Sequence, residues 1–254
     1  MRFRLGSLVM IALSMSACAS EPIDADEGMG AAGSGGSAGG AGKGNGGAPA
    51  ANPCSGALKQ ELSLVDEVST ASVSVLSQNG SELVVYVDAT AGGIDGQDQN
   101  PWVYISLASG AAVPVGDLDA LMSLDWDLAL KRFVIRTNSG DSGPGQGGAI
   151  RVMLSWDDVD ASTLGTRRVA VEDWFDEDCS LTIDAATGDV ITTFSGWSEY
   201  DEATHVLAPA DAVYLTQGAD GTLYKVAILD YYSTPTGTSG TTPGRYRLRV
   251  APLP

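Results

Sequence analysis

Trp126-Asp-Leu-Ala-Leu-Lys-Arg-Phe-Val-Ile-Arg-Thr-Asn138 runs directly into Ser139-Gly-Asp-Ser-Gly-Pro-Gly-Gln-Gly-Gly148. The first segment is apolar and strand-like and opens on a tryptophan. The second holds five glycines in ten residues. Glycine supplies backbone conformations closed to other residues, so the pair reads as a strand emptying into a wide, tight-turning connection to the next strand. Arg132-Phe-Val-Ile-Arg136 and Ile150-Arg-Val-Met-Leu154 are the strands predicted on either side.

Outward from this point, strand signals dominate. Glu82-Leu-Val-Val-Tyr-Val-Asp88 and Trp102-Val-Tyr-Ile-Ser-Leu107 are short β-branched and aromatic runs bounded by turn residues, with Ala91 to Pro101 as the loop between them. Val190-Ile-Thr-Thr-Phe194 is a further strand candidate. The clearest hairpin joins Ala212-Val-Tyr-Leu-Thr216 to Leu223-Tyr-Lys-Val-Ala-Ile-Leu-Asp230, because Asp220-Gly221 supplies the positive φ of a tight turn. In Arg245-Tyr-Arg-Leu-Arg-Val250 arginines alternate with apolar residues, so one face is wet and the other buried. Short helices fit Asp117 to Met122 and Asp158 to Leu164, and no long segment keeps a helical period. The fold class expected is all-β, mainly antiparallel, with a few short helical turns.

Gly140-Asp-Ser-Gly143 resembles the nucleophile loop of a serine protease. That chemistry needs a base before the serine in the chain, and the only histidine, His205, comes after it. Folds that place the histidine last present the serine on a Gly-x-Ser-x-Gly elbow, which is absent here. The acid-rich segments Asp95 to Asn100 and Asp173 to Asp178 lack calcium-loop spacing and read as solvated loops. No phosphate loop, dinucleotide fingerprint or zinc spacing is present. The chain is not expected to be an enzyme.

The N-terminus reads as a signal peptide over residues 1–17: Arg2 and Arg4, then an apolar run from Leu5 to Met15, too short to span a bilayer. Leu13-Ser-Met-Ser-Ala-Cys18 has the form of a lipobox, making Cys18 the expected lipidation site. An ordinary signal peptide with a nearby cysteine is the alternative. From Cys18 to Asn52 the chain is dominated by Gly, Ala and Ser, which cannot bury enough surface to offset ordering entropy. As a tether it would hold a domain about 30 Å from the lipid. Residues 53–254 then form one domain.

The formal charge is −18, from 14 basic and 32 acidic residues. This balance repels nucleic acid and anionic headgroups. With Cys18 lipidated, Cys54 and Cys179 remain as an even pair in an oxidising compartment, and a disulfide between them is expected.

The tryptophan strand and glycine loop, with Gly196-Trp197, Gly218-Ala-Asp-Gly221, Lys225-Val226 and Asp230-Tyr231, resemble the HmuY-like surface lipoproteins of Gram-negative bacteria. The resemblance runs from about Leu83 to Val250 and implies twisted antiparallel sheets with a ligand cleft at one end. It implies haem as cofactor, an outer-membrane haem transporter as partner, and a lipid-anchored place at the outer-membrane surface. Haem-binding members hold iron with two histidines or methionines on loops. The position here aligned with one such ligand is Glu202, and the loop upstream of Trp197, Val171 to Ser180, has no histidine.

His205 is therefore the candidate metal ligand, with Met153 as a thioether alternative and Trp197 and Tyr200 as stacking residues. Met122 is a second methionine of the same kind. Each also has a structural reading, packing or hydrogen bonding for His205 and core filling for the methionines. Haem propionates need a local cation in so acidic a chain, and Arg245, Arg247 and Arg249 are candidates unless they merely form an exposed strand face. The competing reading is a module of the same fold that has lost haem and contacts protein, glycan or envelope.

Overall fold

The computed structural model describes Cys54, Gly56 and residues 62–183 and 190–254. The proposed signal peptide, Cys18 and the tether lie outside the described residues. Eleven strands are present among those described: β1 (Val73–Asn79), β2 (Glu82–Asp88), β3 (Val103–Ile105), β4 (Leu128–Lys131), β5 (Val134–Thr137), β6 (Gly148–Val152), β7 (Ser198–Asp201), β8 (Val206–Pro209), β9 (Val213–Gln217), β10 (Leu223–Asp230) and β11 (Arg245–Pro252). A short α-helix, α1 (Asp117–Ala120), joins them with a few 3-10 turns. The fold is all-β, as its sequence predicts.

Six strands form one antiparallel sheet in the order β1-β2-β11-β10-β9-β6. Tyr246, Leu248 and Val250 of β11 point into the main core, while the alternating arginines face outward. There Arg245 pairs with Asp88 at 3.4 Å, Arg247 with Asp230 at 4.0 Å and Arg249 with Glu82 at 2.9 Å. The strand read from alternation is thus a central strand with an ion-paired outer face.

A three-stranded sheet, β3-β4-β5, covers the other side of this core. Val103, Ile105, Leu128, Leu130 and Ile135 face the six-stranded sheet. Tyr104 and Ala129 face a second core with Trp102, Trp126 and Trp174. Burial on both faces explains why the segment after Trp126 is continuously apolar instead of alternating.

That segment is a hairpin where the sequence suggests one strand. β4 and β5 pair with Lys131 opposite Val134, leaving Arg132-Phe133 as a two-residue turn. Arg132 holds φ +53. A turn of this kind ordinarily carries glycine or asparagine, so the sequence has no punctuation to announce it. Val190–Phe194 also departs from expectation: Val190 makes an isolated bridge to Ile183, and the chain then turns. The helix expected at Asp158–Leu164 is two 3-10 turns, Trp156–Asp158 and Ala161–Leu164.

The glycine-rich connection wraps Asn138. Its side chain donates to the carbonyls of Ser123 and Trp126 and accepts from Gly145 N–H. Gly147 N–H donates to its carbonyl. A Cβ on Gly147 would lie 2.5 Å from that oxygen, and one on Gly140 would lie 2.0 Å from Glu172 O. The glycines exist for close backbone approach. Ser142 of the protease-like motif is fully buried, and its Oγ accepts from Arg136 at 2.9 Å.

Arg136 is itself fully buried, with its guanidinium 4.6 to 5.4 Å from the rings of Trp102, Trp126 and Tyr104. Its Nη2 donates to Tyr104 OH, which donates in turn to Asp117. Cys54 and Cys179 are joined by a disulfide with Cα atoms 5.3 Å apart. Closing a loop of that length stabilises the fold by about 4–5 kcal/mol in the chain-entropy model.

Candidate functional site

Three segments meet around a cleft of about 430 Å³. The β4–β5 turn supplies Phe133 and Val134. The irregular segment before β7 supplies Val190, Thr192, Ser195, Gly196 and Trp197. The β7–β8 hairpin supplies Ser198, Tyr200 and Leu207 from one face. On that face Tyr200 lies opposite Leu207, as strand alternation requires. The walls are mainly apolar, and the volume suits a small-molecule site.

Trp197 is the floor. It is 5% exposed and packs against Tyr231 at 5.2 Å and Tyr246 at 5.5 Å between ring centroids. Its indole N–H donates to Phe133 O at 2.8 Å, locking the β4–β5 turn to the floor. Tyr246 OH donates to Arg132 O in the same turn. Burial pushes the Tyr231 hydroxyl up to about 12 and Tyr246 well above its ordinary value. These phenols stay neutral beneath the cleft.

Glu172 holds the wall in place. It is 1% exposed and accepts from Thr137 and Thr193, through both backbone N–H and hydroxyl, and from Trp174 Nε1. Desolvation raises its pKa against the pull of those donors. Through Glu172, two bonds from Thr137 and two from Thr193 fasten the segment before Trp197, which has no ladder of its own, to the end of β5.

The hairpin tip carries the histidine. Asp201 Oδ1 accepts from Ala203 and Thr204 N–H, and His205 N–H closes the turn onto Asp201 O at 2.8 Å. His205 adopts φ +57, a left-handed position for which histidine is better suited than most residues. Its exposed ring lies with Nδ1 2.6 Å from Tyr200 OH. Leu207 N–H donates to Tyr232 OH, tying the hairpin to the core.

The structure therefore brings together Trp197, Tyr200 and, through Tyr200, His205. Met153 lies beyond the end of β6, is 69% exposed and does not line the cleft. Met122 follows α1 and is 46% exposed. Glu202 is exposed in the hairpin turn. Arg245, Arg247 and Arg249 are ion-paired on the outer face of the six-stranded sheet and do not line the cleft, as the strand-face alternative expects. Among the described residues no three His, Cys, Asp or Glu side chains cluster as a metal site. Asp176 instead caps its own loop, accepting from Asp178 and Ser180 N–H.

Phe133, Val134, Thr192, Ser195 and Leu207 are lining residues that sequence reading did not find. Phe133 was hidden by the unsignalled turn. Leu207 could have been found from hairpin alternation, two residues beyond His205 and paired with Tyr200.

Three solved structures are similar to this chain at low identity. A protein of Bacteroides fragilis described as a lipoprotein is 19% identical, with 70% of this chain and 94% of that one covered and a TM-score of 0.41. A protein of Bacteroides vulgatus described as HmuY-like and haem-binding is 18% identical, covering 70% and 96% with a TM-score of 0.45. The apo HmuY analog of Tannerella forsythia is 14% identical, covering 74% and 100% with a TM-score of 0.38. A search of curated proteins finds no match. Residues 98–246, which include the three-stranded sheet, the cleft lining and the β7–β8 hairpin, match the family model described as HmuY protein, and this chain belongs to the HmuY family.

Proposed function

We propose that this protein binds haem, or a related tetrapyrrole, in the cleft over Trp197, as a carrier and not as an enzyme. The observation that carries this reading is the Tyr200–His205 pair at the mouth of an aromatic, apolar cleft. A histidine that ligates metal through one ring nitrogen engages a second-shell partner with the other. Tyr200 OH is placed to be that partner for Nδ1, leaving Nε2 for iron.

The residues fit the group on one side. Trp197, Phe133 and Leu207 would offer apolar surface to the ring, and His205, which does not itself line the cleft, would offer one imidazole from beside Tyr200. When bound, the haem supplies an electron-poor iron that takes a nitrogen ligand. The chain's own residues exclude water from the ring face, orient the imidazole through the Tyr200 hydroxyl, and leave the mouth open. Tyr200 is 56% exposed there, which suits a protein that must release its cargo.

Family membership and the Cys18 motif support a lipid-anchored protein at the outer-membrane surface that hands its ligand to an outer-membrane transporter. A metal-free tetrapyrrole is a second reading, favoured by a single imidazole and the absence of Met153 from the lining. Titration of the purified full chain with haemin and with iron-free protoporphyrin separates the two. A saturable, red-shifted Soret band at one haemin per chain supports iron ligation. Equal binding of both supports the metal-free reading. Neither binding at tens of micromolar contradicts the proposal and leaves the family fold turned to surface contact.

A further inference from the structure

We infer that Lys131 and Arg132, beside the apolar cleft, form an anion subsite that selects a ligand bearing carboxylate arms. The inference rests on the ligand reading of the cleft and adds which chemistry the ligand must carry. A second hollow of about 160 Å³ adjoins the cleft and shares Phe133, Val134 and Val190 with it as walls. Lys131 and Arg132 line this second hollow and not the first. A molecule lying on Trp197 with one edge past Phe133 would put that edge against two cations.

These cations are available for such a role. Among the described residues, the ion pairs belong to Arg245, Arg247 and Arg249, and neither Lys131 nor Arg132 has one. Lys131 is 5% exposed, with Nζ donating to Ser63 O at 3.0 Å. An ammonium has three donors, so this contact leaves capacity for an incoming oxygen. Arg132 is partly exposed and donates from Nη1 to Pro243 O at 3.3 Å. Its place in the turn is fixed from both sides, by the Tyr246 bond to its carbonyl and the Trp197 bond to the next one.

The charge balance of the hollow is net positive. Asp98 also lines it, held by Ser63 Oγ at 2.8 Å, and offsets one of the two cations. Asp117 lies behind Trp102, accepting from its backbone N–H and from Tyr104, which also meets the buried Arg136. A chain of formal charge −18 repels a dianion at long range, so binding of one depends on such a local reversal of sign.

Haemin and haemin dimethyl ester share ring and iron and differ in whether the two arms are charged. Titrating the full chain with both should show haemin binding about tenfold tighter, a difference one well-placed charge contact supplies. Arg132→Gly suits the positive φ of that position and removes the charge, so it tests the subsite without straining the turn. Lys131→Met keeps the buried stem. Either variant should bring the two affinities together while leaving the ester's unchanged. Equal affinities in the unaltered protein, or a preference that survives both variants, would overturn the subsite while the cleft reading stands. Failure of both ligands to bind would overturn the cleft reading and the subsite with it.

Discussion

The indole N–H of Trp197 donates to the carbonyl of Phe133 at 2.8 Å, joining the floor of the cleft to a hairpin turn formed far earlier in the chain. The bond spans two elements that no strand pairing links. It sets how far the floor lies from the wall, so one polar contact fixes the width of an otherwise apolar cleft.

Trp197→Phe removes this bond and part of the buried ring. The expected loss is about 2–3 kcal/mol, combining an unpaired carbonyl with a partial cavity. Urea denaturation with and without haemin checks it. The free protein should be destabilised, and the stabilisation conferred by haemin should shrink as well.

His205 sits at φ +57, so backbone and side chain can be separated by substitution. His205→Gly should leave stability within about 0.5 kcal/mol, because glycine accepts the left-handed conformation that histidine holds with some strain. His205→Val should cost about 1–2 kcal/mol. Both should lose the red-shifted Soret band. Thermal melts set beside the haemin spectra distinguish a lost ligand from a lost turn.

Gly140 approaches Glu172 so closely that a Cβ would lie 2.0 Å from its carbonyl oxygen, at a backbone φ of +51. Gly140→Ala must push the two segments apart, along with the Glu172 hydrogen bonds that brace the cleft wall. A loss of about 3 kcal/mol or more is expected, with weaker haemin binding. By contrast Gly80, at φ +59 with open space around it, should tolerate alanine at about 1 kcal/mol.

Alkaline pH tests the aromatic floor. Tyr214 and Tyr231 have hydroxyls pushed up to about 12 by burial, and burial also raises those of Tyr104 and Tyr246 well above the ordinary value. Each folded value exceeds the unfolded value of about 10, so stability from these groups is complete below pH 10 and is lost as pH rises beyond it. Absorbance at 295 nm should show only some of the eight tyrosines ionising near pH 10. The others should ionise together on unfolding. Uniform ionisation of all eight near pH 10 would contradict the buried floor.

Local rules reach only part of this architecture. Asp220-Gly221 marked the β9–β10 hairpin because glycine supplies the turn, and the arginine alternation of β11 marked its buried face. Lys131-Arg132-Phe133-Val134 gave no such mark, since the turn has a positive φ without glycine, held by Tyr246 and Trp197 from distant segments. Arg136 and Glu172 look in sequence like surface charges. Each is buried by partners gathered from several segments, the tryptophans in one case and two threonines in the other. Trp197 and Tyr200 were recognisable as site candidates, but the walls they face come from tertiary contacts alone.

The most direct test of the account is a crystal structure of the protein grown with haemin. The expected complex has the ring over Trp197 between Phe133 and Leu207, the iron facing Nε2 of His205, and the carboxylate arms directed toward Lys131 and Arg132. A ring bound elsewhere on the domain, or iron held without His205, would contradict it.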